Sequence, residues 1–232
     1  NNDTIKFGTG INVNNTLFIK EDNHLRIYFP ESGNSFIRIE DYFLDNDHKI
    51  ENFVFADNTV LTDVSELISG QASEGDITLT STEKYAYLLG NSNATVIGNN
   101  NEENFIYGNA GNNTYNGGIG HDHIEDRLGG DDTYIYNIGD GHDYIIDIGG
   151  NDTVKFGEGI SLENVRFTHR NNDLQVFVDI GEDGGSINIE NYFKSDIRKI
   201  EKFEFVDGTV ITDVTNLISG ISIDSDYTFE EN

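Results

Sequence analysis

The sequence predicts an all-β chain in which a block of short repeats is flanked by two homologous β-rich modules, each ending in a short helix. Three observations carry this reading. An apolar residue recurs every nine positions between about 81 and 155. DTIKFGTGI at 3–11 returns as DTVKFGEGI at 152–160, and IENFVFADNTVLTDVSELISG at 50–70 returns as IEKFEFVDGTVITDVTNLISG at 200–220. These offsets (152 − 3 = 149; 200 − 50 = 150) define a unit of about 150 residues present one and a half times. Outside the block, short runs of β-branched and aromatic residues are separated by Asn, Asp and Gly, the punctuation of strands and turns.

In chain order, residues 1–70 are the first module, 71–151 the repeat block, 152–220 the second module and 221–232 the start of another unit, since SDYTF at 225–229 echoes GDITL at 75–79. In the first module LFIK, LRIYF, FIRI and NFVFAD read as strands. Each module then ends in a predicted helix, with Thr62 or Thr212 as N-cap, Leu67 and Ile68 or Leu217 and Ile218 facing the core, and Gly70 or Gly220 as the stop. Tyr42-Phe43 and Tyr192-Phe193 recur, and core packing suits paired aromatics better than a sugar-stacking platform. Asp3 matches Asp152 and reads as the last aspartate of a block whose other turns lie elsewhere. With no methionine anywhere, the chain reads as a piece of a longer protein.

Within the block, steps of nine place Leu88, Ile97, Ile106, Tyr115 and Ile124 at one position, and Thr95, Asn104, Asn113 and Asp122 two residues before the last four. The phase then slips, and Asp132 with Tyr134, Asp143 with Ile145, and Asp152 with Val154 continue the pattern. GGIGHDHIE at 117–125 fits G-G-x-G-x-D-x-U-x, with U a large apolar residue, at every defined position. GGDDTYIY, GDGHDYII and GGNDTVKF keep the glycine-x-aspartate core, whereas GNSNATVIG and NNNEENFIY lack the aspartate.

On these motifs the block resembles the RTX family of haemolysin-type calcium-binding repeats, and the modules resemble the haemolysin-type calcium-binding-related regions that follow them. The resemblance implies a calcium-loaded parallel β-roll in which two nonapeptides make one coil and turns two frames apart share an edge. It pairs Asp122 with Asp143, Asp132 with Asp152 and Asn113 with Asp132, so about three or more Ca2+ ions are expected. A fourth pair, Asn104 with Asp122, is weaker for want of charge. Asp140 is an extra ligand candidate, and Gly118, Gly120, Gly130, Gly141 and Gly150 offer turn carbonyls. The donor chemistry agrees, because calcium takes six to eight oxygens from carboxylates and backbone carbonyls. The modules then cap the open ends of the roll. His121, His123 and His142 sit at variable positions, where solvated side chains are the simpler reading and a transition-metal site the other.

Composition bounds the function. Fourteen basic against forty-two acidic residues leave a net charge of −28, which opposes nucleic-acid binding by bulk electrostatics. Cysteine is absent, so neither disulfides nor thiol chemistry contribute. No apolar stretch approaches the ~20 residues of a membrane span. No G-x-S-x-G, H-E-x-x-H or P-loop appears, so a non-enzymatic segment is expected. The family resemblance implies an extracellular or cell-surface setting, reached through the type I secretion apparatus, with calcium-driven folding after export. A structural or stalk role in a large bacterial adhesin or cytotoxin follows. The alternatives are recognition of a host or cell-surface glycan or protein, carried by loops such as PESGNS (30–35) and IGEDGGS (180–186), or a non-catalytic C-terminal part of a secreted enzyme.

Overall fold

The computed structural model describes residues 2–30, 35–101 and 103–221. The first module contains β1 (Thr4–Lys6), β2 (Leu17–Glu21), β3 (His24–Phe29), β4 (Ser35–Ile39), β5 (Asn52–Val54) and β6 (Val60–Leu61). β2, β3 and β4 form an antiparallel meander, and β5 pairs with β1 in parallel and with β6 antiparallel. Alternation drives this arrangement: Leu25, Ile27 and Phe29 point one way from β3 and are buried, while Arg26 and Tyr28 point the other way. They join Phe7, Phe18, Tyr42, Phe53, Phe55 and Val64 in one core.

β7 (Ile68–Ser73) leads into the roll. From there the chain alternates between two parallel sheets. One holds β7, β9 (Tyr85–Leu88), β11 (Phe105–Tyr107), β13 (His123–Asp126) and β15 (His142–Asp147). The other holds β8 (Ile77–Thr78), β10 (Thr95–Ile97), β12 (Thr114–Asn116), β14 (Thr133–Tyr136) and β16 (Thr153–Phe156). Two nonapeptides make one coil, as expected. The inward rungs are Ala86, Ile106, Ile124 and Ile145 on one sheet and Ile77, Val96, Tyr115, Tyr134 and Val154 on the other, all 2 % exposed or less.

The first rungs differ from the sequence expectation. Ala86 and Val96 fill them, not Leu88 and Ile97, and Ile97 is 42 % exposed. The cause is variable coil length: register partners lie 20 residues apart at Ala86–Ile106, 18 at Ile106–Ile124 and 21 at Ile124–Ile145 (106 − 86; 124 − 106; 145 − 124). Counting back in strict nines accumulates that error.

The second module repeats the first with β17 (Val165–Arg170), β18 (Asp173–Val178), β19 (Gly185–Ile189), β20 (Lys202–Glu204), β21 (Val210–Ile211) and β22 (Ile218–Ile221). It continues both roll sheets, β19 pairing in parallel with β15 and β20 with β16. Its core is continuous with that of the roll, from Ile77 through Val154 to Phe203 and Val214. On the other side β7 runs across the expected 70/71 boundary and pairs with β9.

The helices expected at the module ends are absent. Ser65–Leu67 is a single 3-10 turn and the equivalent residues 215–217 a turn, each passing directly into a strand. Asp63 and Asp213, not Thr62 and Thr212, cap these turns through the amides of Ser65 and Thr215. The buried anchors are Val64 and Val214, while Leu67 and Leu217 are 36 % and 37 % exposed. Gly70 sits inside β7, where a β-carbon would overlap the Tyr85 backbone. Too few residues separate the turn from the strand for helix propagation to offset nucleation. The echo at 225–229 lies outside the described residues, as do residues 31–34 of the PESGNS loop.

Candidate calcium centre

Asp122, Asp132 and Asp152 immediately precede β13, β14 and β16, and Asp143 is second in β15, so the side chains of successive coils stack along two edges. On one edge the Asp122 amide donates to Asp143 Oδ1 (3.1 Å), and the Asn104 amide donates to Asp122 Oδ1 (2.8 Å). On the other the Asp132 amide donates to Asp152 Oδ1 (2.8 Å), and the Asn113 amide donates to Asp132 Oδ1 (2.7 Å). The three expected pairs, and the weaker fourth, are therefore brought together.

The turn glycines allow this proximity. Gly141 (φ +95°) and Gly150 (φ +159°) stand where a β-carbon would overlap the Gly120 and Gly130 carbonyl oxygens of the preceding coil. Gly120 and Gly141 form a parallel bridge, and Gly118 (φ +90°) turns the chain ahead of them. The Gly141 carbonyl differs from the expectation. It accepts Tyr136 Oη (2.7 Å) and the Ser186 amide (2.9 Å), which fills both lone pairs, so the role of Gly141 is clearance rather than ligation.

What the ladder leaves over is anionic. Asp122, Asp132 and Asp152 each spend Oδ1 on an amide, and their Oδ2 atoms are buried without a partner. Seven aspartates of the roll, 122, 126, 132, 140, 143, 147 and 152, are 7 % exposed or less. None forms an ion pair with a basic residue among the described residues. Burial pushes the Asp122 carboxyl up to about 7, with the Asn104 amide opposing and Asp140 adding to the rise. Burial likewise raises Asp143 well above its ordinary range, helped by Asp122 and Asp140, and raises Asp132, Asp140, Asp147 and Asp152. A cation would supply the missing partner, and a donor set of buried carboxylates and turn carbonyls fits calcium.

The modules that close this ladder match the family described as haemolysin-type calcium binding protein related domain, at residues 28–64 and 176–215. The strands of the roll, β8 to β16, lie between the two matched segments. Among solved structures, the extracellular lipase LipA from Serratia marcescens is similar over 81% of this chain, at 15% identity and a TM-score of 0.28; the chain spans 30% of that lipase. Comparison with curated proteins gives no match.

The asparagine turns of the roll close differently. Asn113 Nδ2 donates to Gly111 O (2.9 Å) and Asn109 Oδ1 (3.0 Å), and Asn109 Nδ2 donates to Leu89 O (2.9 Å). A side-chain amide thus reaches turn acceptors that a cation would otherwise bridge. Asn113 Oδ1 accepts the Ala94 amide (3.0 Å), so the side chain is engaged at both ends rather than being the oxygen ligand the sequence suggested. Asp140 caps its own turn through Asn137 (2.7 Å to the amide).

Sequence reasoning missed Asp126 and Asp147, both buried, paired in register at the ends of β13 and β15. A signal was available. Each lies two residues after an inward rung, Ile124 or Ile145, so strand alternation points it inward. Tyr115 Oη donates to Asp126 Oδ2 (2.6 Å), and Tyr134 Oη donates to Asp147 Oδ2. The histidines do not converge: His121 meets His142 edge-on, while His123 stacks on Tyr144 with centroids 5.2 Å apart. Tyr42 and Tyr192 are buried in the module cores.

Proposed function

We propose that this segment is a calcium-folded structural repeat of a large extracellular bacterial protein, exported unfolded through a type I secretion apparatus and ordered only outside the cell. One observation carries the reading: seven buried aspartates without a buried cation. Burying an unpaired charge costs several kcal/mol, reduced where the carboxyl takes up a proton instead, and this is set against the ~5–15 kcal/mol stability of a typical domain. Ion-free and at neutral pH, the roll is therefore unstable. Submicromolar cytosolic calcium leaves the chain unfolded and export-competent, and extracellular sites commonly bind with Kd of ~10⁻⁴ to 10⁻³ M. At tenfold excess each occupied site contributes about 1.4 kcal/mol. Asp122–Asp143 and Asp132–Asp152 are the two principal sites, with Asp140 contributing to the first and Gly118, Gly120, Gly130 and Gly150 supplying turn carbonyls.

A tandem unit with sheets running through module, roll and module suits a stalk of an adhesin or cytotoxin. Glycan recognition has less support. The outer face carries stacked aromatics, Tyr28–Tyr87–Tyr107 and Tyr85–Phe105, with centroids 4.7 to 5.3 Å apart. Their faces are spent on one another rather than offered to a sugar. The chain carries no catalytic constellation in this reading. Far-UV circular dichroism tests it: strand signal should rise several-fold between EGTA and millimolar calcium, and equal signals in both would overturn it.

A further inference from the structure

We infer that Asp147 is a third carboxylate ligand of the Asp132–Asp152 cation site, held in position by Tyr134, and that this site fills before the others. The inference rests on the calcium reading above and adds a ligand outside the turn motif. One oxygen from each of Asp132, Asp147 and Asp152 lies within 4.8 Å of the other two. That spacing is what a single ion bound at about 2.3–2.6 Å permits, since two ligands then stand at most ~5 Å apart.

Asp147 is 1 % exposed, and its Oδ1 has no partner. Tyr134 Oη, itself buried, holds Oδ2 and so orients the carboxylate, as outer-shell donors do for metal ligands.

The neighbouring positions show what is specific about Asp147. Asp126, its register partner one coil earlier, has both oxygens engaged, Oδ2 by Tyr115 Oη (2.6 Å) and Oδ1 by the Leu128 amide (3.0 Å). At the opposite sheet ends, Tyr136 and Phe156 lie two residues after the rungs Tyr134 and Val154 and bring no carboxylate. Among the described residues only Asp132, Asp147 and Asp152 bring three carboxylate oxygens within 4.8 Å of one another, whereas Asp140, beside Asp122 and Asp143, spends Oδ2 on Asn137. The number of converging carboxylates is what sets affinity for a hard cation.

The test is a terbium titration of the full 232-residue chain, excited through tyrosine and repeated with calcium as competitor. Wild type should show a first step saturating near one equivalent, with strong sensitised emission from Tyr134. D147N should weaken that step about tenfold or more and leave later steps within twofold. Y134F should cut the emission of the first step several-fold. If D147N leaves every step within twofold of wild type, the inference is overturned. Unreduced emission in Y134F overturns the role of Tyr134. Should D147N fail to fold at saturating calcium, D147E decides: a restored first step supports the third ligand, and its absence overturns it. Wild type showing no saturable binding of either ion would instead remove the calcium reading beneath it.

Discussion

At the scale of single residues, the roll is governed by where its protons and amides go. Burial holds the ion-free Asp122 carboxyl at about 7, against an ordinary value of 3.8. The folded state therefore binds the proton more tightly than the unfolded chain. The stability this contributes is fully present below about pH 4 and is lost as pH rises through about 7. Far-UV strand signal in EGTA should fall between pH 5 and pH 8, and saturating calcium should abolish that fall; a flat profile in EGTA would contradict it. Tyr115 gives a second prediction. Tyr115→Phe removes the donor to a fully buried Asp126 oxygen and should cost about 1–3 kcal/mol in urea denaturation with calcium present.

At the scale of elements, the duplication lets one strand be compared in two settings. Ile37 in β4 and Ile187 in β19 occupy equivalent places, yet Ile37 is 37 % exposed and Ile187 1 %. The difference is β15, which pairs with β19, whereas β4 pairs with β3 alone among the described residues. Amides of Ser35–Ile39 should exchange with deuterium much faster than those of Gly185–Ile189, and equal protection would contradict the register. In the turns, Gly141→Ala combines a φ of +95° with overlap of the Gly120 carbonyl and should destabilise by about 2–4 kcal/mol in calcium. The sequence made the strands, the duplicated modules and the four ladder aspartates legible, because alternation and period are local properties. It did not reveal the module ends, where a helix-like run is overridden by the strand that follows. It also placed the first rungs at Leu88 and Ile97, since coil length varies and only pairing between coils fixes the phase. Asp147 escaped because it lies outside the turn motif and gains its place from Tyr134 and from the next coil.

At the scale of the whole molecule, a net charge of −28 opposes compaction, and Arg127 is the one Lys or Arg between 99 and 152. Asn109 and Asn113 find partners within their own turn at the start of the roll, while the Oδ2 atoms of Asp122, Asp132 and Asp152 toward its end find none. Order should thus spread from the ion-bound coils beside the second module, whose core is continuous with theirs. The most direct test is calorimetric melting of the parent chain and of the quadruple variant D122A/D132A/D143A/D152A, each in EGTA and in millimolar calcium. The parent should melt cooperatively in calcium and show no cooperative transition of the roll in EGTA, and the variant's trace should be the same in both. A parent whose melting is unmoved by calcium, or a variant that still responds fully, would contradict the claim that cations between the coils make this fold possible.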